Sequence, residues 1–175
     1  AIDRTDLQRQ IPLCGANPDR KMHHRIFRLV IHIMKPRGAQ MGEVMNIKTK
    51  NFGEITIADE KIIEFPSGII GFPELTQFAL IHDEDKGVGG IHWLQSVQEP
   101  NFAMPVMDPL LVKEDYNPTV EDELLAPVGD IVPEELLVLV TVTVPSDLTR
   151  MSVNLCGPIV INSLTHKAVQ IIVEG

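Results

Sequence analysis

Cysteine and aromatic residues are scarce in this chain. Only Cys14 and Cys156 occur among 175 residues, and aromatic side chains account for 5%. Two isolated cysteines without a CxxC spacing argue against a disulfide scaffold and favour a reducing compartment. Aliphatic side chains must therefore build the core. Because Leu155 and Gly157 flank Cys156, we predict that this thiol is a buried small hydrophobe rather than a nucleophile.

A membrane-spanning run is missing from the N-terminal region. The stretch IFRLVIHIM (26–34) contains an arginine and a histidine, and basic residues follow it rather than a small, cleavable segment. It is too short to cross a bilayer and does not have the order of an export signal. We therefore expect a cytoplasmic protein without a membrane partner.

Motifs of catalysis and metal binding do not occur. Six histidines are scattered without metal-ligand spacing, and GVGG (87–90) lacks the Lys-Ser/Thr pair of a phosphate loop. DEDKGVGG (83–90) begins like a calcium loop, but Val88 stands where such a loop needs glycine. We therefore expect no enzymatic activity, no metal and no cofactor.

Charge divides the chain into two parts. Residues 1–44 hold eight basic and four acidic side chains, a balance of +4, so the total of −9 leaves −13 on residues 45–175. An acidic domain repels nucleic acid and attracts basic partners. Residues 1–44 are predicted to be a basic, poorly ordered extension, or an upstream reading-frame extension of a chain that starts at Met41 or Met45. A membrane-surface helix and an RNA-binding arm are the functional alternatives for this segment.

Hydrophobic patterning from residue 45 onward predicts a mainly β fold. NIKTKNFGEITI (46–57) and KIIEF (61–65) are predicted to form a hairpin that turns at Asp59-Glu60. The β-branched run at 136–145 is predicted to be a strand buried on both faces. Further extended segments are predicted within 78–83, 91–97, 102–109, 110–116, 152–162 and 167–175. Recurring strands with short turns favour a single compact antiparallel β-barrel-like or sandwich domain over residues 45–175.

One or two short helices complete the predicted fold. In NPTVEDELLAPVG (117–129), Thr119 is a candidate N-cap with Asp122 three residues later, and Pro127 and Gly129 close the segment. In FPSGIIGFPELTQF (65–78), Pro73 suits the first turn of a second short helix.

The segment FPSGIIGFPELTQF is too interrupted for a strand and too apolar for an ordinary solvated loop. Ser67-Gly68 and Gly71 predict sharp turns within it. We interpret it as a stiff connection between two strands that caps one open end of the barrel through Ile69, Ile70, Phe72 and Leu75. A stiff loop with some exposed apolar side chains loses little conformational entropy when it docks a protein.

Four blocks of sequence carry a family resemblance. They are FPSGIIGFPELTQFALI (65–81), HWLQSVQEPNFAMPVMDP (92–109), LLVLVTVTVP (136–145) and NLCGPIVIN (154–162). In this order and at these separations they closely resemble the bacterial flagellar assembly factor FliW family. The likeness begins near MNIKTKNFGEI and covers about 130 residues. Residues 1–44 have no recognised counterpart in the family.

The resemblance implies a non-enzymatic, cytoplasmic partner-switching protein. FliW proteins bind newly made flagellin, and they bind CsrA, a small basic RNA-binding repressor whose action on flagellin mRNA they antagonise. Flagellin and CsrA are therefore the expected partners, and no direct nucleic-acid partner is expected. The alternatives are a flagellin chaperone without a translational role and an RNA-binding protein that acts through its basic extension.

Candidate partner contacts follow from composition together with this resemblance. An apolar patch for the amphipathic terminal helices of flagellin is expected near the 65–75 turn, which includes Phe72, Pro73 and Glu74, or near the 100–109 segment. Asn101, Met104 and Asp108 of the second segment are candidates for strand pairing with a partner. An acidic surface for the basic repressor is expected at Glu121, Asp122, Glu123, Glu134 and Glu135. Pro105 confines its strand to an edge or a bulge, where pairing with a partner strand is an option. Trp93 is predicted to lie in the core, and His92 is predicted to be structural.

Overall fold

Strands form most of the regular structure in the computed structural model, which describes residues 8–10, 43–82 and 90–174. In chain order the strands are β1 (Gln8–Gln10), β2 (Val44–Thr49), β3 (Gly53–Ala58), β4 (Ile62–Glu64), β5 (Gln77–Ile81), β6 (His92–Ser96), β7 (Ala103–Met107), β8 (Thr119–Glu121), β9 (Leu136–Thr143), β10 (Ser152–Val153), β11 (Ile159–Asn162) and β12 (Lys167–Gln170). Within these residues the helical elements are α1 (Asp122–Leu125) and short 3-10 turns at Asp59–Lys61, Pro109–Leu111, Ala126–Val128, Pro133–Glu135 and Leu148–Arg150.

Seven strands close into a barrel. Their order around the barrel is β9-β11-β12-β4-β5-β6-β7, and β7 pairs again with β9 to complete the ring. Neighbouring strands are antiparallel except β12 and β4, which are parallel where Lys167 lies opposite Glu64. The short strand β10 also pairs with β9. The predicted mainly β, barrel-like fold with short helices is therefore confirmed.

Aliphatic and phenylalanine side chains fill the barrel. The buried members of this inner core include Ile63, Phe65, Phe78, Leu80, Leu94, Val106, Leu137, Leu139, Ile159 and Ile161. Alternation along β9 turns Leu137 and Leu139 inward and Val138 and Val140 outward. All four are buried, which confirms that β9 is covered on both faces. Burial of each such apolar side chain away from water stabilises the fold by about 2 kcal/mol.

Two outer layers cover the barrel. The β2–β3 hairpin packs Ile47 and Ile57 against Ala79 of β5. The long connection between β7 and β9, residues 108–135, packs Val120 and Leu125 over the outward face of β9, β11 and β12. These two layers, together with Met151 and Val153 over Val140 and Val142, cover the outward-facing apolar side chains of the barrel, which would otherwise be exposed.

The predicted hairpin between 46–57 and 61–65 is wrong, because the hairpin of the structure forms within 44–58. β2 pairs with β3, and the chain reverses at residues 50–52, before Gly53 at φ +67°. The Thr49 hydroxyl closes this turn by accepting from the Phe52 amide at 2.9 Å and donating to the Gly53 carbonyl at 3.0 Å. Asp59 and Glu60 instead begin a 3-10 turn that leads into β4, and β4 pairs with β5.

The segment between β7 and β8 is not extended as predicted. The Asp108 carboxylate accepts from the Leu110 amide at 2.9 Å and caps a 3-10 turn that starts at Pro109. The following helix is also shorter than predicted, because Thr119 belongs to β8 and Glu121 is the N-cap of α1. Gly129, at φ +82°, ends the helical segment as expected.

Cys156 is exposed, so the prediction of a buried thiol is wrong. It lies in a bulge between β10 and β11, where its amide donates to the Asn154 side-chain oxygen at 3.1 Å. Its carbonyl accepts from the Val173 amide at 2.9 Å. These backbone bonds fix the bulge and leave the side chain outside both apolar layers.

Candidate partner-binding surfaces

The connections β4–β5 and β6–β7 meet at one end of the barrel. The register of β5 places Gln77 opposite Glu64 and Phe78 opposite Ser96, so both connections leave the barrel on the same side. We call this side the apolar end. It holds the sequence-predicted residues Phe72, Pro73, Glu74 and Asn101, and Met104 follows at the start of β7.

The β4–β5 connection is a set of tight turns. Gly68 has a φ of +66°, and Ile69 and Phe72 exchange backbone hydrogen bonds of 3.3 and 2.9 Å. The predicted helical turn at Pro73 is wrong, because this bridge folds the chain back just before it. A Cβ on Gly68 would lie 2.4 Å from the Pro73 carbonyl oxygen, so the turn requires glycine.

Side chains of this connection divide between the core and the surface. Ile69 and Leu75 are 3% and 7% exposed and pack into the inner core. Ile70 and Phe72 are 51% and 42% exposed. The predicted cap on the barrel end is therefore confirmed for the first pair. The second pair forms apolar surface above it.

Phe72 is the outer member of a series of contacting rings. Its centroid lies 4.8 Å from that of Phe102, and Phe102 lies 6.3 Å from Phe78. Phe78 in turn makes an edge contact of 5.1 Å with Phe65, which is buried in the inner core. Such tilted and edge-on pairs are the favoured aromatic geometries. The exposed ring of Phe72 is therefore held in place by the packed rings beneath it.

Two glutamine side chains fasten the apolar end. The Gln98 Oε1 accepts from the amides of Thr76 and Gln77 at 2.7 and 3.1 Å. The Gln170 Oε1 accepts from the Ile70 amide at 3.0 Å, and its Nε2 donates to the Gly157 carbonyl at 3.2 Å. These bonds tie the β4–β5 connection to two neighbouring segments, so its exposed apolar side chains sit on a constrained backbone.

The residues predicted in the 100–109 segment lie in different environments. Asn101 is exposed and its amide donates to the Glu99 carboxylate at 3.2 Å. Met104 is half-buried and packs against the inner core. Asp108 lies at the opposite end of β7, is buried and caps the following turn. The structure therefore brings Asn101 and Met104 to the apolar end and separates Asp108 from them.

The strand that contains Pro105 has one partly open edge. Along β7, Ala103 to Val106 pair with β6. In the described residues, pairing with β9 is confined to Val106 and Met107. Pro105 precedes that pairing, so its missing amide does not interrupt the β7–β9 hydrogen bonds that close the barrel. The edge position predicted for this proline is thus confirmed.

The acidic candidates lie on the connection of residues 108–135, which we call the acidic connection. It contains nine Asp and Glu residues and one Lys, a formal balance of −8. Glu121 and Glu123 are exposed and Asp122 is half-buried at the β8–α1 junction. Glu121 is the N-cap of α1, and Asp122 and Glu123 lie in its first turn, where the helix dipole favours negative charge.

The second acidic pair lies at the end of the barrel opposite the apolar end. Glu134 is exposed, and the half-buried Glu135 carboxylate accepts a short hydrogen bond from the Ser163 hydroxyl. The neighbouring Asn162 side chain donates to the carbonyls of Val128 and Asp130 at 3.0 and 2.8 Å. Asn162 and Ser163 therefore hold residues 128–135 of the acidic connection in place.

A pair of histidines inside the barrel was not predicted. His82 and His92 continue the inward-facing positions of β5 and β6, with 3.1 Å between their Nδ1 atoms. Burial, with a smaller contribution from His82, lowers the pKa of His92 to about 4. The structural role predicted for His92 agrees with this placement. Trp93, predicted as core, is half-buried against Phe52 of the hairpin, with 5.9 Å between ring centroids.

Exposure of Ile70 was missed as a site feature, although its neighbours were predicted. The available signal was adjacency, because Ile69 pairs with Phe72 while Ile70 lies in the turn between them and is exposed. In residues 43–82 and 90–174, no group of three or more metal-ligating side chains converges. No helix in the same part of the chain is long and apolar enough to cross a membrane.

Comparison with known proteins identifies a family. The sequence profile of the FliW protein family matches residues 46–175. The flagellar assembly factor FliW of Lachnoclostridium phytofermentans is 45% identical over 131 residues, which cover 74% of this chain and 84% of that protein. That of Lachnospira eligens is 43% identical over 133 residues, covering 75% and 88%. That of Treponema denticola is 40% identical over 130 residues, covering 74% and 86%.

A solved structure agrees with the sequence comparison. The crystal structure of a flagellar assembly factor FliW superposes with a TM-score of 0.68 and 30% identity, covering 73% of this chain and 88% of that one. The matched region contains the whole barrel and both outer layers, since it begins in β2 and ends after β12. This chain belongs to the FliW family of flagellar assembly factors.

Proposed function

We propose that the protein is a cytoplasmic, non-enzymatic assembly factor that binds flagellin and CsrA and so relieves CsrA's repression of flagellin mRNA. The observation that carries the proposal is family membership across residues 46–175. The acidic composition and the exposed apolar end support a protein-binding role, since each offers one kind of contact to a protein partner.

The apolar end is the proposed flagellin surface. Ile70 and Phe72 are both exposed and only two residues apart in sequence, and Phe102 and Met104 lie half-buried against the core. Amphipathic helices bind by placing their apolar face on such a surface. Because hydrogen bonds already constrain the backbone here, docking costs little ordering entropy. Pro73, Glu74 and Asn101 would form its polar and rigid rim.

The acidic connection is the proposed CsrA surface. Its balance of −8 accounts for most of the chain's net charge of −9. Glu121 and Glu123 are exposed, and Glu134 is exposed at the far end of the barrel. A basic partner is attracted by such a field, and the rate of encounter falls as salt screens it. This surface would repel RNA directly.

Strand β12 lies beneath both proposed surfaces. Val169 and Ile171 pack under the acidic connection together with Val120. Gln170, which lies between them in sequence, holds the Ile70 amide of the apolar end. A ligand that shifts β12 on one side would therefore change the other side. Coupling through β12, like overlap of the two binding sites, makes each partner lower the concentration of free protein available to the other. The flagellin level then sets repressor activity by mass action.

Calorimetric titration of the full chain with flagellin and with CsrA tests the proposal. Phe72→Ala is expected to weaken flagellin binding about tenfold and to leave CsrA binding unchanged. Glu121→Lys with Glu123→Lys is expected to weaken CsrA binding only. Matched controls are Leu148→Ala, an exposed apolar truncation elsewhere, and Glu43→Lys with Glu54→Lys, which makes the same change in charge at the β2–β3 hairpin.

The outcomes separate the alternatives. Binding of flagellin without CsrA would make the protein a flagellin chaperone with no translational role. Binding of neither would reject the proposal. A gel shift with flagellin mRNA, made for the full chain and for a variant with the basic residues of 20–37 replaced by glutamine, tests the RNA-binding alternative.

A further inference from the structure

Strands β1 and β8 form a separate two-stranded sheet. The backbone of Gln8–Gln10 runs antiparallel to Thr119–Glu121, with Arg9 opposite Val120. Among the described strands, β8 has no other ladder partner. A strand edge presents a row of amide and carbonyl groups that accept any extended segment of matching register. β1 therefore occupies an edge that is competent to bind a strand.

The β8 edge is held in place independently of β1. Val120 is 1% exposed and packs in the outer core with Leu125 and Val138, whereas Thr119 and Glu121 are exposed on either side of it. The inward side chain anchors the strand to the barrel. The backbone groups facing β1 remain in position when β1 leaves, since the barrel and not β1 fixes the conformation of β8.

β1 and β8 belong to oppositely charged parts of the chain. Residues 1–44, which include β1, carry a balance of +4, and the acidic connection, which includes β8, carries −8. β1 is on the same chain as β8, so an external strand competes against a high effective concentration. Three ladder pairs are few, however, and a short ladder exchanges more readily than a long one.

We propose that β8 is a strand-docking edge on the acidic connection and that β1 is its exchangeable occupant, a built-in competitor for extended segments of basic partners. In this arrangement the N-terminal strand covers the β8 edge until a partner segment displaces it. Both tests use only segments of this chain, so their outcome does not depend on whether flagellin or CsrA binds.

Disulfide trapping tests the register. In a Cys14→Ser, Cys156→Ser background, Gln10→Cys with Thr119→Cys places two thiols on directly opposed residues, whose Cα atoms are about 4.5–5.5 Å apart. The control, Gln10→Cys with Glu121→Cys, is two residues out of register and has Cα atoms beyond about 7 Å. The matched pair is expected to oxidise within the monomer at least about tenfold faster. Equal rates would overturn the proposal.

Binding of the occupant in trans tests exchange. The probe is a fluorescent peptide of residues 4–13, RTDLQRQIPL, measured against the full chain and against Arg9→Pro. This variant places a residue without an amide, one that disfavours a strand, at the centre of the three-pair ladder. Arg9→Lys is the control that keeps the strand. Arg9→Pro is expected to bind the peptide at least about tenfold more tightly than the chain or the control. Equal affinity for all three, including no binding up to about 1 mM, would contradict the exchange.

Discussion

The exposed ring of Phe72 rests on the ring of Phe102, with 4.8 Å between centroids and 58° between planes. Phe102 contacts Phe78 of the inner core as well, so it joins the surface to the barrel interior. The two rings therefore have different tasks. Phe102 supports the apolar end, and Phe72 presents apolar surface on top of that support.

Truncation of the two rings is expected to separate support from surface. Phe102→Ala should lower the free energy of unfolding by about 2–3 kcal/mol, because it opens a cavity beside the core. Phe72→Ala, which removes a ring that is 42% exposed, should cost less than about 1 kcal/mol. Urea unfolding of both variants measures the difference. Equal losses of stability would show that the ring of Phe72 is structural.

Gly68 and Gly53 allow backbone strain and steric clash to be measured separately. Both have positive φ, +66° and +67°, but a Cβ would meet the Pro73 carbonyl oxygen at 2.4 Å in the first and nothing within 4 Å in the second. Gly53→Ala should therefore cost about 1 kcal/mol for conformation alone. Gly68→Ala should cost about 3 kcal/mol or more, because the turn must also open. Unfolding curves with the same cost for both would contradict the close approach.

His92 should make the protein less stable in mild acid. Its pKa in the folded state is about 4, against 6.5 for the free side chain, so between these values the unfolded chain binds more protons. The free energy of unfolding should therefore fall as the pH drops from 6.5 towards 4, by on the order of 2 kcal/mol from this residue. Above pH 6.5 the effect is absent.

The control for this titration is His92→Gln, which keeps a polar side chain but does not titrate. Denaturant unfolding of both proteins at several pH values isolates the histidine, since the carboxylates contribute equally to each. The two stability curves should converge as the pH falls. Parallel curves would show that burial does not hold this imidazole neutral. His82→Gln should raise the pKa of His92, because it removes the nearby imidazole.

Salt should affect the two proposed partner contacts differently. Attraction between the acidic connection and a basic partner is screened with a Debye length of about 10 Å at 0.1 M salt. The association rate with CsrA should therefore fall between about 0.05 and 0.5 M salt, and flagellin binding through the apolar end should change little. Stopped-flow fluorescence at several salt concentrations compares them. A flat dependence for CsrA would reject the acidic surface.

Local chemistry made several parts of the structure predictable from sequence. The β-branched run of β9 indicated burial on both faces, and Gly68 indicated a turn that only glycine tolerates. The closure of the barrel was not predictable in detail. The β7–β9 and β12–β4 pairings join distant residues, and such pairing leaves no local pattern. Thr119 looked like a helix cap because its pairing with β1 is equally distant in sequence.

The candidate surfaces were predictable in composition more than in arrangement. The acidic residues and the apolar turn are visible in the sequence, but the side that each faces depends on the fold. Ile69 is buried and Ile70 exposed, although the two are neighbours of the same type. Asp108 likewise lies in the same segment as Met104, but its carboxylate caps a turn at the other end of β7.

Relief of repression is the most direct test of the central claim. CsrA would be bound to a labelled flagellin mRNA leader, and the full chain added first alone and then together with flagellin. The chain is expected to release RNA from CsrA, and flagellin is expected to restore the CsrA–RNA complex. RNA that stays bound to CsrA at saturating concentrations of the chain would show that the protein does not antagonise CsrA.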